Sequence, residues 1–336
     1  MDKTQLLARV GSLEQYAGIT PFAYTAGRSA GVRAFHVRTG TGLEFTAVAD
    51  RALDICAASF QGTSLAWQSS NGVAAAAYYD PSRFDETFFG GLVTTCGLTA
   101  FGPPGHDAYG RWGQHGRVNH LPASELCHRV TWEGQRCFFD ISGIMHETRL
   151  FGEQLTLERT LRAELGSNTI VLRDRVTNEG GSRSPHMLLY HCNAGFPLLD
   201  DATEISLSTR STTPRDEEAA RGLAVWNRGA PPQADFREQV FIHEPLAEGD
   251  GLARAIVKNP TLRDGRGLAL AIAFDPAQLP AAFSWRMLGV KDYVMAIEPA
   301  NCNAIAGRID AEKRGVLPFL EPGETREYML EFSVIP

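Results

Sequence analysis

Apolar and polar residues alternate with a period of two through much of this chain. The clearest runs are residues 43–48, 137–141, 155–161 and 169–176, and residues 268–274, 293–297 and 327–332 are predicted as later strands. These runs have the length of β-strands, several are rich in β-branched residues, and turn sequences such as Glu133-Gly134 separate them. The pattern predicts a mainly β protein in which many short antiparallel strands form a large sandwich.

Helical periodicity is confined to a few short segments. Residues 2–17 are predicted to be helical, and residues 80–87 and 215–222 are further candidates. The most polar stretch, residues 211–235, has strands of similar character on both sides, so we interpret it as a long surface connection. We therefore expect residues 1–336 to form a single domain, with residues 1–30 as a helical or extended N-terminal segment.

The composition excludes some classes of partner. The 336 residues are 43% hydrophobic and 21% charged, and the formal net charge is -7. Nucleic acids are bound by basic surfaces, so this balance argues against a nucleic-acid partner. The sequence lacks an apolar stretch of about 18 residues, and we expect no membrane partner and a cytoplasmic location. The six cysteines form no C-x-x-C pair, which is typical of reduced core thiols.

Three distant segments each contain a group that is suited to proton transfer. His115 lies between Gly113 and Gly116 in a glycine-rich loop, where the backbone can approach a ligand closely and leave the imidazole unshielded. A loop histidine that only hydrogen-bonds a carbonyl group fits this local sequence equally well. His115 is therefore a candidate that local sequence alone does not decide.

The second and third segments are strands. His191 lies in an apolar strand that enters a Gly-Phe-Pro turn, and a lone strand histidine is more often a hydrogen-bonded core residue than a catalytic one. Glu298 ends an apolar strand and precedes Pro299, which places its carboxylate at a sheet margin. That carboxylate is either poised with a raised pKa or paired with an arginine such as Arg117 or Arg308.

Several polar residues interrupt apolar or glycine-rich segments and are candidates for binding a sugar. Planar side chains with several donors bind hydroxyl groups, and an aromatic ring such as Trp67 packs under a sugar ring. The candidates are Arg51, Thr95, Arg117, Asn193, Asn301 and Trp67. For Asp54, close to Arg51 in the sequence, an internal ion pair with that arginine is the favoured interpretation.

Other enzyme signatures are missing from the sequence. It contains no G-x-S-x-G, no P-loop, no dinucleotide-binding glycine motif after a strand and no H-E-x-x-H. A metal site formed by His115, His191 and Glu298 is a minor alternative.

In their order along the chain, the segments resemble the aldose 1-epimerase (galactose mutarotase-like) superfamily, and most closely its DUF4432 branch. The resemblance covers roughly residues 30–334 and is carried by residues 50–55, 90–98, 115–117, 185–193 and 297–301. It implies a large antiparallel β-supersandwich with a sugar-binding groove across one sheet. Two segments depart from the family pattern. Residues 190–193 read Tyr-His-Cys-Asn, and residues 90–95 lack the usual arginine, a role that Arg117 or Arg51 would fill.

The resemblance also implies catalytic roles. By similarity, Glu298 is the base, His191 the acid, and His115 helps to hold the sugar ring. The expected reaction is the interconversion of sugar anomers without a cofactor or metal, and it requires His191 to be charged near neutral pH, which the Glu298 carboxylate would favour. Two alternatives stay open: an isomerase or epimerase that moves a proton at carbon, and a carbohydrate-binding or sensing protein without catalysis. The sequence also leaves a homodimer open.

Overall fold

The computed structural model describes residues 2–336, and β-strands account for most of its regular structure. The strands of the N-terminal half are β1 (Gly18–Ala23), β2 (Arg33–Arg38), β3 (Leu43–Val48), β4 (Asp54–Phe60), β5 (Thr63–Ser64), β6 (Thr94–Cys96), β7 (Gly105–Asp107), β8 (Gly110–Trp112), β9 (Ser124–Glu133), β10 (Arg136–Thr148), β11 (Gln154–Glu164) and β12 (Thr169–Asn178). Those that follow are β13 (Ser184–Pro185), β14 (Leu189–Gly195), β15 (Glu204–Leu207), β16 (Thr209–Pro214), β17 (Gln239–Pro245), β18 (Ala253–Asn259), β19 (Leu268–Phe274), β20 (Ala281–Leu288), β21 (Tyr293–Ala300), β22 (Phe319–Leu320) and β23 (Thr325–Ile335).

The α-helices are short: α1 (Lys3–Leu7), α2 (Glu217–Gly222) and α3 (Arg308–Lys313). The predicted helix over residues 2–17 is therefore wrong in length, because α1 ends after five residues and a 3-10 turn at Leu13–Gln15 leads into β1. Residues 80–87 contain only the 3-10 turn Phe84–Glu86, whereas α2 lies within the predicted segment 215–222. The sequence analysis did not predict α3.

Three sheets make up the framework, and all their strand pairs are antiparallel. The first has the order β1-β2-β3-β4-β5, the second β15-β18-β19-β23-β12-β11-β10-β9, and the third β16-β17-β20-β21-β14-β6. Two-stranded pairs β13-β22 and β7-β8 complete the set. One large hydrophobic cluster contains residues of all three sheets, including Phe45, Leu172 and Tyr190. The predicted strand runs all lie within strands of these sheets. Alternation marks the strands that expose one face, whereas the apolar run 268–274 is buried on both faces.

A buried ionic network joins the six-stranded sheet to the eight-stranded sheet. Arg159 of β11 donates to Asp54 at 2.6 Å and to both carboxylate oxygens of Asp174 at 2.8 and 2.6 Å. The Tyr190 hydroxyl of β14 donates to Asp174 at 2.7 Å. Asp54 thus pairs with Arg159, and the predicted Arg51–Asp54 pair is wrong. Because these charged groups are buried, the cost of removing each one from water must be offset by its ionic and hydrogen-bond partners.

The network predicts a large cost for removing its cation. Arg159→Met should lower the free energy of unfolding by about 3–5 kcal/mol, because Asp54 and Asp174 would be left buried without a counter-charge. Urea unfolding followed by tryptophan fluorescence measures this change. The control is Arg173→Met on the exposed face of β12, for which we expect a change within about 0.5 kcal/mol. A loss below about 1 kcal/mol in Arg159→Met would contradict the structural role of the network.

Candidate functional site

The register of two neighbouring strands brings His191 and Glu298 together. In the pairing of β14 with β21, Leu189 lies opposite Ala300 and Cys192 lies opposite Ile297, so His191 falls opposite Glu298. Side chains that face each other across an antiparallel pair lie on the same side of the sheet. The His191 Nε2 and Glu298 Oε1 atoms are 3.3 Å apart. Neither arginine that the sequence analysis considered for Glu298 is its partner, since Arg117 pairs with Glu153 and Arg308 with Asp107.

Both side chains line a cavity of about 860 Å³. Within it, the polar side chains are Ser69, Ser70, Asn71, Asp85, Gln114, His115, His191, Arg215, Glu238, Asp292 and Glu298. The apolar part of the wall comes from Trp67, Phe84, Phe88, Val240, Trp285, Met287, Ile305 and several small residues. We call this space the central cavity. Its size and its mixture of aromatic and hydrogen-bonding groups are typical of a small-molecule site.

Aromatic rings hold the His191 imidazole from two directions. The ring centroids of Phe88 and Trp285 lie 5.1 and 5.3 Å from that of His191, and both rings approach edge-on. Trp67 packs against Trp285 at 6.0 Å. Gly90 permits this packing, because its φ is +76° and a Cβ atom there would lie 2.5 Å from the Trp67 ring. The imidazole orientation is therefore set by packing.

Trp285 is fixed in turn by a polar pair that the sequence analysis missed. Its indole Nε1 donates to Glu238 at 3.0 Å, and Arg215 donates to the other oxygen of the same carboxylate at 3.0 Å. Arg215 directly follows β16, and its backbone N–H donates to the Val240 carbonyl of the neighbouring strand. The segment 211–235 was interpreted as a surface connection, and nothing local in its sequence marks Arg215 as a cavity residue.

A loop that is held by backbone hydrogen bonds places His115 close to the His191 imidazole. The His115 N–H donates to the Gly102 carbonyl, and its own carbonyl accepts from Gly97 N–H. Its ring centroid lies 6.0 Å from that of His191 and 5.1 Å from that of Phe84. The Nδ1 atoms of both histidines are buried and have no partner within the described chain. Both Nδ1 atoms therefore lie inside the protein and not on the surface of the cavity.

Burial controls the protonation of these groups. It lowers the pKa of His191 to about 3, with a further contribution from the neighbouring His115, and it lowers the pKa of His115 to about 4. Burial also raises the pKa of Glu298 to about 8, and the Glu238 carboxylate acts in the same direction. The expectation of a charged His191 is therefore corrected, because burial keeps this imidazole neutral near neutral pH. The contact holds one proton near neutral pH, and burial favours its location on Glu298.

Two of the predicted sugar-binding residues serve the backbone around the site. Arg51 is fully buried and donates to the carbonyl groups of Asn119, Ala74 and Thr87. Asn193 donates through Nδ2 to the carbonyl of His191 at 2.8 Å and to that of Gly91. Neither side chain lines the central cavity. Asn193 instead holds the backbone of the strand that presents His191.

Three more of these residues also lie elsewhere. Thr95 belongs to the buried network, where its hydroxyl donates to Asp54 at 2.6 Å. Asn301 accepts from Leu188 N–H and donates to the His186 carbonyl. Arg117 lines a different cavity and donates to the Thr148 carbonyl. Of the six predicted binding residues, Trp67 lines the central cavity, and we do not assign the other five to it. Their polarity reflects internal hydrogen bonding, which sequence does not distinguish from ligand binding.

Two general properties concern the described chain as a whole. Across residues 2–336, no three His, Cys, Asp or Glu side chains are grouped so that they could hold a metal ion. None of the helices in that range has both the length and the apolar character needed to cross a bilayer.

Comparison with known proteins identifies relatives by sequence profile and by fold. The family described as a domain of unknown function, DUF4432, matches residues 29–334. A search of curated proteins gave no match. Among solved structures, a protein from Klebsiella pneumoniae subsp. pneumoniae, provisionally described as an aldose 1-epimerase, superposes with a TM-score of 0.87 at 23% identity. The alignment covers 99% of this chain and 86% of that protein.

Two further structures support the same architecture. A galactose mutarotase-like protein from Clostridium acetobutylicum gives a TM-score of 0.64 at 11% identity, with 96% of this chain and 99% of that protein covered. The galactose 1-epimerase of Lactobacillus acidophilus gives 0.56 at 12% identity, with coverages of 95% and 99%. At such identities the likeness shows the fold alone. The predicted fold class, a mainly β supersandwich of the galactose mutarotase-like type, is confirmed.

The raised pKa of Glu298 predicts that a neutral side chain at this position stabilises the fold by an amount that depends on pH. A carboxyl whose pKa rises on folding stabilises the fold fully below its ordinary value of 4.5, and this contribution is lost as the pH approaches about 8. Glu298→Gln mimics the protonated acid and does not ionise. At pH 8 it should be more stable than the parent by about 4 kcal/mol, and this advantage should shrink towards pH 4.5.

Urea unfolding at several pH values measures this difference. Glu327→Gln, on the exposed face of β23, removes the same charge without burial and serves as the control. An advantage of Glu298→Gln that is equal at pH 4.5 and 8, or that grows towards acid, would show that burial does not hold the proton on Glu298.

Proposed function

Because the chain belongs to the DUF4432 family and has the galactose mutarotase-like fold, we propose that it is a carbohydrate epimerase that interconverts the anomers of a free sugar. The observation that carries this proposal is the 3.3 Å contact between His191 Nε2 and Glu298 Oε1 on the wall of the central cavity. The reaction is an isomerisation by general acid and base catalysis, and it uses groups of the chain itself.

The spacing of this pair suits the chemistry of an anomeric centre. The ring oxygen and the anomeric hydroxyl of a cyclic sugar are bonded to the same carbon, so the two oxygens lie close together. Two catalytic groups in contact on one wall can therefore each reach one oxygen of a sugar that lies over them. The two groups lie side by side because β14 and β21 are direct neighbours in one sheet.

The pair completes the reaction with the one proton that it holds. With the proton on Glu298, the His191 imidazole removes the anomeric hydroxyl proton while Glu298 protonates the ring oxygen. The C–O bond to the ring oxygen breaks, the carbonyl group turns about C1–C2, and reclosure returns both protons. The other distribution, in which His191 is the acid and Glu298 the base, has the same atoms and the same total charge. The orientation of the sugar selects between the two.

The remaining cavity groups hold and orient the sugar. Trp67 and Trp285 provide apolar surfaces for a sugar ring, and the His115 imidazole lines the same cavity close to the catalytic pair. Gln114 adds an amide donor and acceptor to the cavity lining, whereas Asn71 offers its amide oxygen because its Nδ2 atom donates to the Asp85 and Phe88 carbonyl groups. We assign His115 to positioning the ring, because its distance from the pair allows contact with the sugar that the pair acts on.

An NMR panel of aldoses and ketoses, followed for exchange between anomers, tests this function. The parent should accelerate exchange for at least one sugar, and Glu298→Gln and His191→Gln should each lower the rate by on the order of 10² to 10⁴. The matched controls Glu327→Gln and His128→Gln alter exposed residues and should retain the parent rate. Retained sugar binding without any acceleration by the parent would indicate a binding protein, and deuterium uptake at carbon would indicate chemistry at a C–H bond.

The protonation of the pair predicts an unusually broad pH profile. The singly protonated pair is the active form, so kcat/KM should fall above a pH of about 8, where Glu298 loses its proton. On the acid side it should stay level to a pH of about 4, because His191 gains a second proton only near a pH of about 3. Rates are measured after subtraction of the spontaneous reaction at each pH. An acid limb near pH 6 would contradict this assignment. It would show that the active form contains a charged His191 and an ionised Glu298, and that activity is lost when Glu298 gains a proton.

A further inference from the structure

A second cavity of about 680 Å³ lies beside the central cavity. It is lined by Tyr79, Pro81, Ser82, Thr99, Pro104, Gly105, His106, Arg111, Trp112, Gly113, Gly116, Arg117, Glu147, Arg149 and Glu153. These residues come from the segments 79–82 and 99–104, the β7-β8 hairpin, the loop that follows it, the end of β10 and the segment before β11. We call this space the arginine cavity.

The loop that carries His115 separates the two cavities. His115 lines the central cavity, whereas the next residue, Gly116, lines the arginine cavity. The wall is closely packed, because a Cβ atom on Gly116 would lie 2.2 Å from the Gly97 carbonyl oxygen and its φ is +71°. The backbone of Arg117 donates to the same carbonyl group. The arginine cavity is therefore a separate space with its own wall.

The two cavities differ in charge. Four carboxyl groups and one guanidinium group line the central cavity, those of Asp85, Glu238, Asp292, Glu298 and Arg215. Three guanidinium groups and two carboxyl groups line the arginine cavity. One of these carboxyl groups, Glu147, is buried, and burial raises its pKa although Arg117 acts in the opposite direction. In a chain with a net charge of -7, a cavity with a positive wall attracts anions locally.

The guanidinium groups retain donors that the chain itself does not use. Glu153 accepts from Arg117 at 3.2 Å and pairs with Arg149 at 2.8 Å, which fixes both side chains at the cavity wall. Each also donates to a backbone carbonyl group through the same Nη2 atom. Their other N–H groups form no hydrogen bond within residues 2–336, and Arg111 forms none through its side chain. Such donors in a fork geometry match the oxygens of carboxylate and phosphate groups.

The same wall carries two aromatic side chains. The Trp112 ring is held by its Nε1 bond to the Pro103 carbonyl and by the Arg308 guanidinium, whose central carbon lies 4.5 Å from the ring centroid. Tyr79 packs against His120 at a centroid distance of 4.6 Å. Both rings are thus ordered by neighbours outside the arginine cavity. They offer a firm apolar surface beside the guanidinium groups.

We propose that the arginine cavity binds a small molecule in which a carboxylate or phosphate group is attached to a planar ring. The anionic group lies against Arg111, Arg117 and Arg149, and the ring packs against Trp112 and Tyr79. Inorganic phosphate supplies only the anionic part of this pattern and binds more weakly. The site is independent of the anomerisation in the central cavity, which has a wall of opposite charge.

Isothermal titration calorimetry of the full chain with phenyl phosphate, benzoate and inorganic phosphate tests this site. At least one of the two aromatic anions should bind with a stoichiometry of one and more tightly than inorganic phosphate. Arg111→Gln should weaken that binding about tenfold, because it removes a charged donor. This variant is expected to fold, since Arg111 is exposed and its side chain forms no bond in the described chain. Thermal unfolding checks that it does.

Two control variants locate the ligand. Arg129→Gln changes an exposed arginine on β9, and Arg215→Gln changes the arginine of the central cavity, so both should bind like the parent. The proposal is overturned if neither aromatic anion binds at millimolar concentrations or if inorganic phosphate binds as tightly as both. It is also overturned if Arg111→Gln has the parent affinity, or if the loss occurs in Arg215→Gln instead.

Discussion

The buried contact of Tyr190 with Asp174 determines which face of β14 can serve a ligand. It joins that strand to the Arg159 network of the eight-stranded sheet, where every polar atom of the contact is inside the protein. Successive side chains of a strand point to opposite faces, so anchoring Tyr190 inward turns His191 towards the central cavity. A shift of one residue would bury the imidazole and expel the tyrosine from its ionic partners. The core thus fixes the register on which the site depends.

Burial favours a state in which His191 and Glu298 share a single proton. Two separate charges in this apolar surrounding would each carry a desolvation cost, whereas a neutral imidazole beside a protonated carboxyl carries far less. The aromatic rings of Phe88 and Trp285 maintain that environment and also fix the imidazole. In the proposed reaction, the acid and the base are therefore already in place before the sugar binds.

The sequence predicted the parts of the structure that local patterns encode. Alternation located the strand runs, and the family resemblance led to His115, His191 and Glu298, which the structure brings to one cavity. Arg51, Thr95 and Asn301 do not line the central cavity. Sequence alone could not show this, because a polar residue in an apolar segment looks the same whether it bonds a group of the chain or a ligand. Arg215 and Glu238 were missed because their role depends on Trp285, which is distant in sequence from both. The helix predictions for residues 2–17 and 80–87 were wrong in length, because periodicity does not locate the end of a short helix.

The loop around His115 shows how the fold positions a side chain that no strand could supply. His115 has a φ of +56°, a conformation that costs a non-glycine residue on the order of 1 kcal/mol. Its N–H and C=O groups both bond to the neighbouring backbone, and Gly116 is closely packed against Gly97, so the loop has little freedom to relax. A left-handed residue at this point turns the imidazole towards the central cavity while the chain continues along the arginine cavity. The loop that contains this strained residue therefore lies between the two cavities, and the surrounding backbone bonds offset the cost of its conformation.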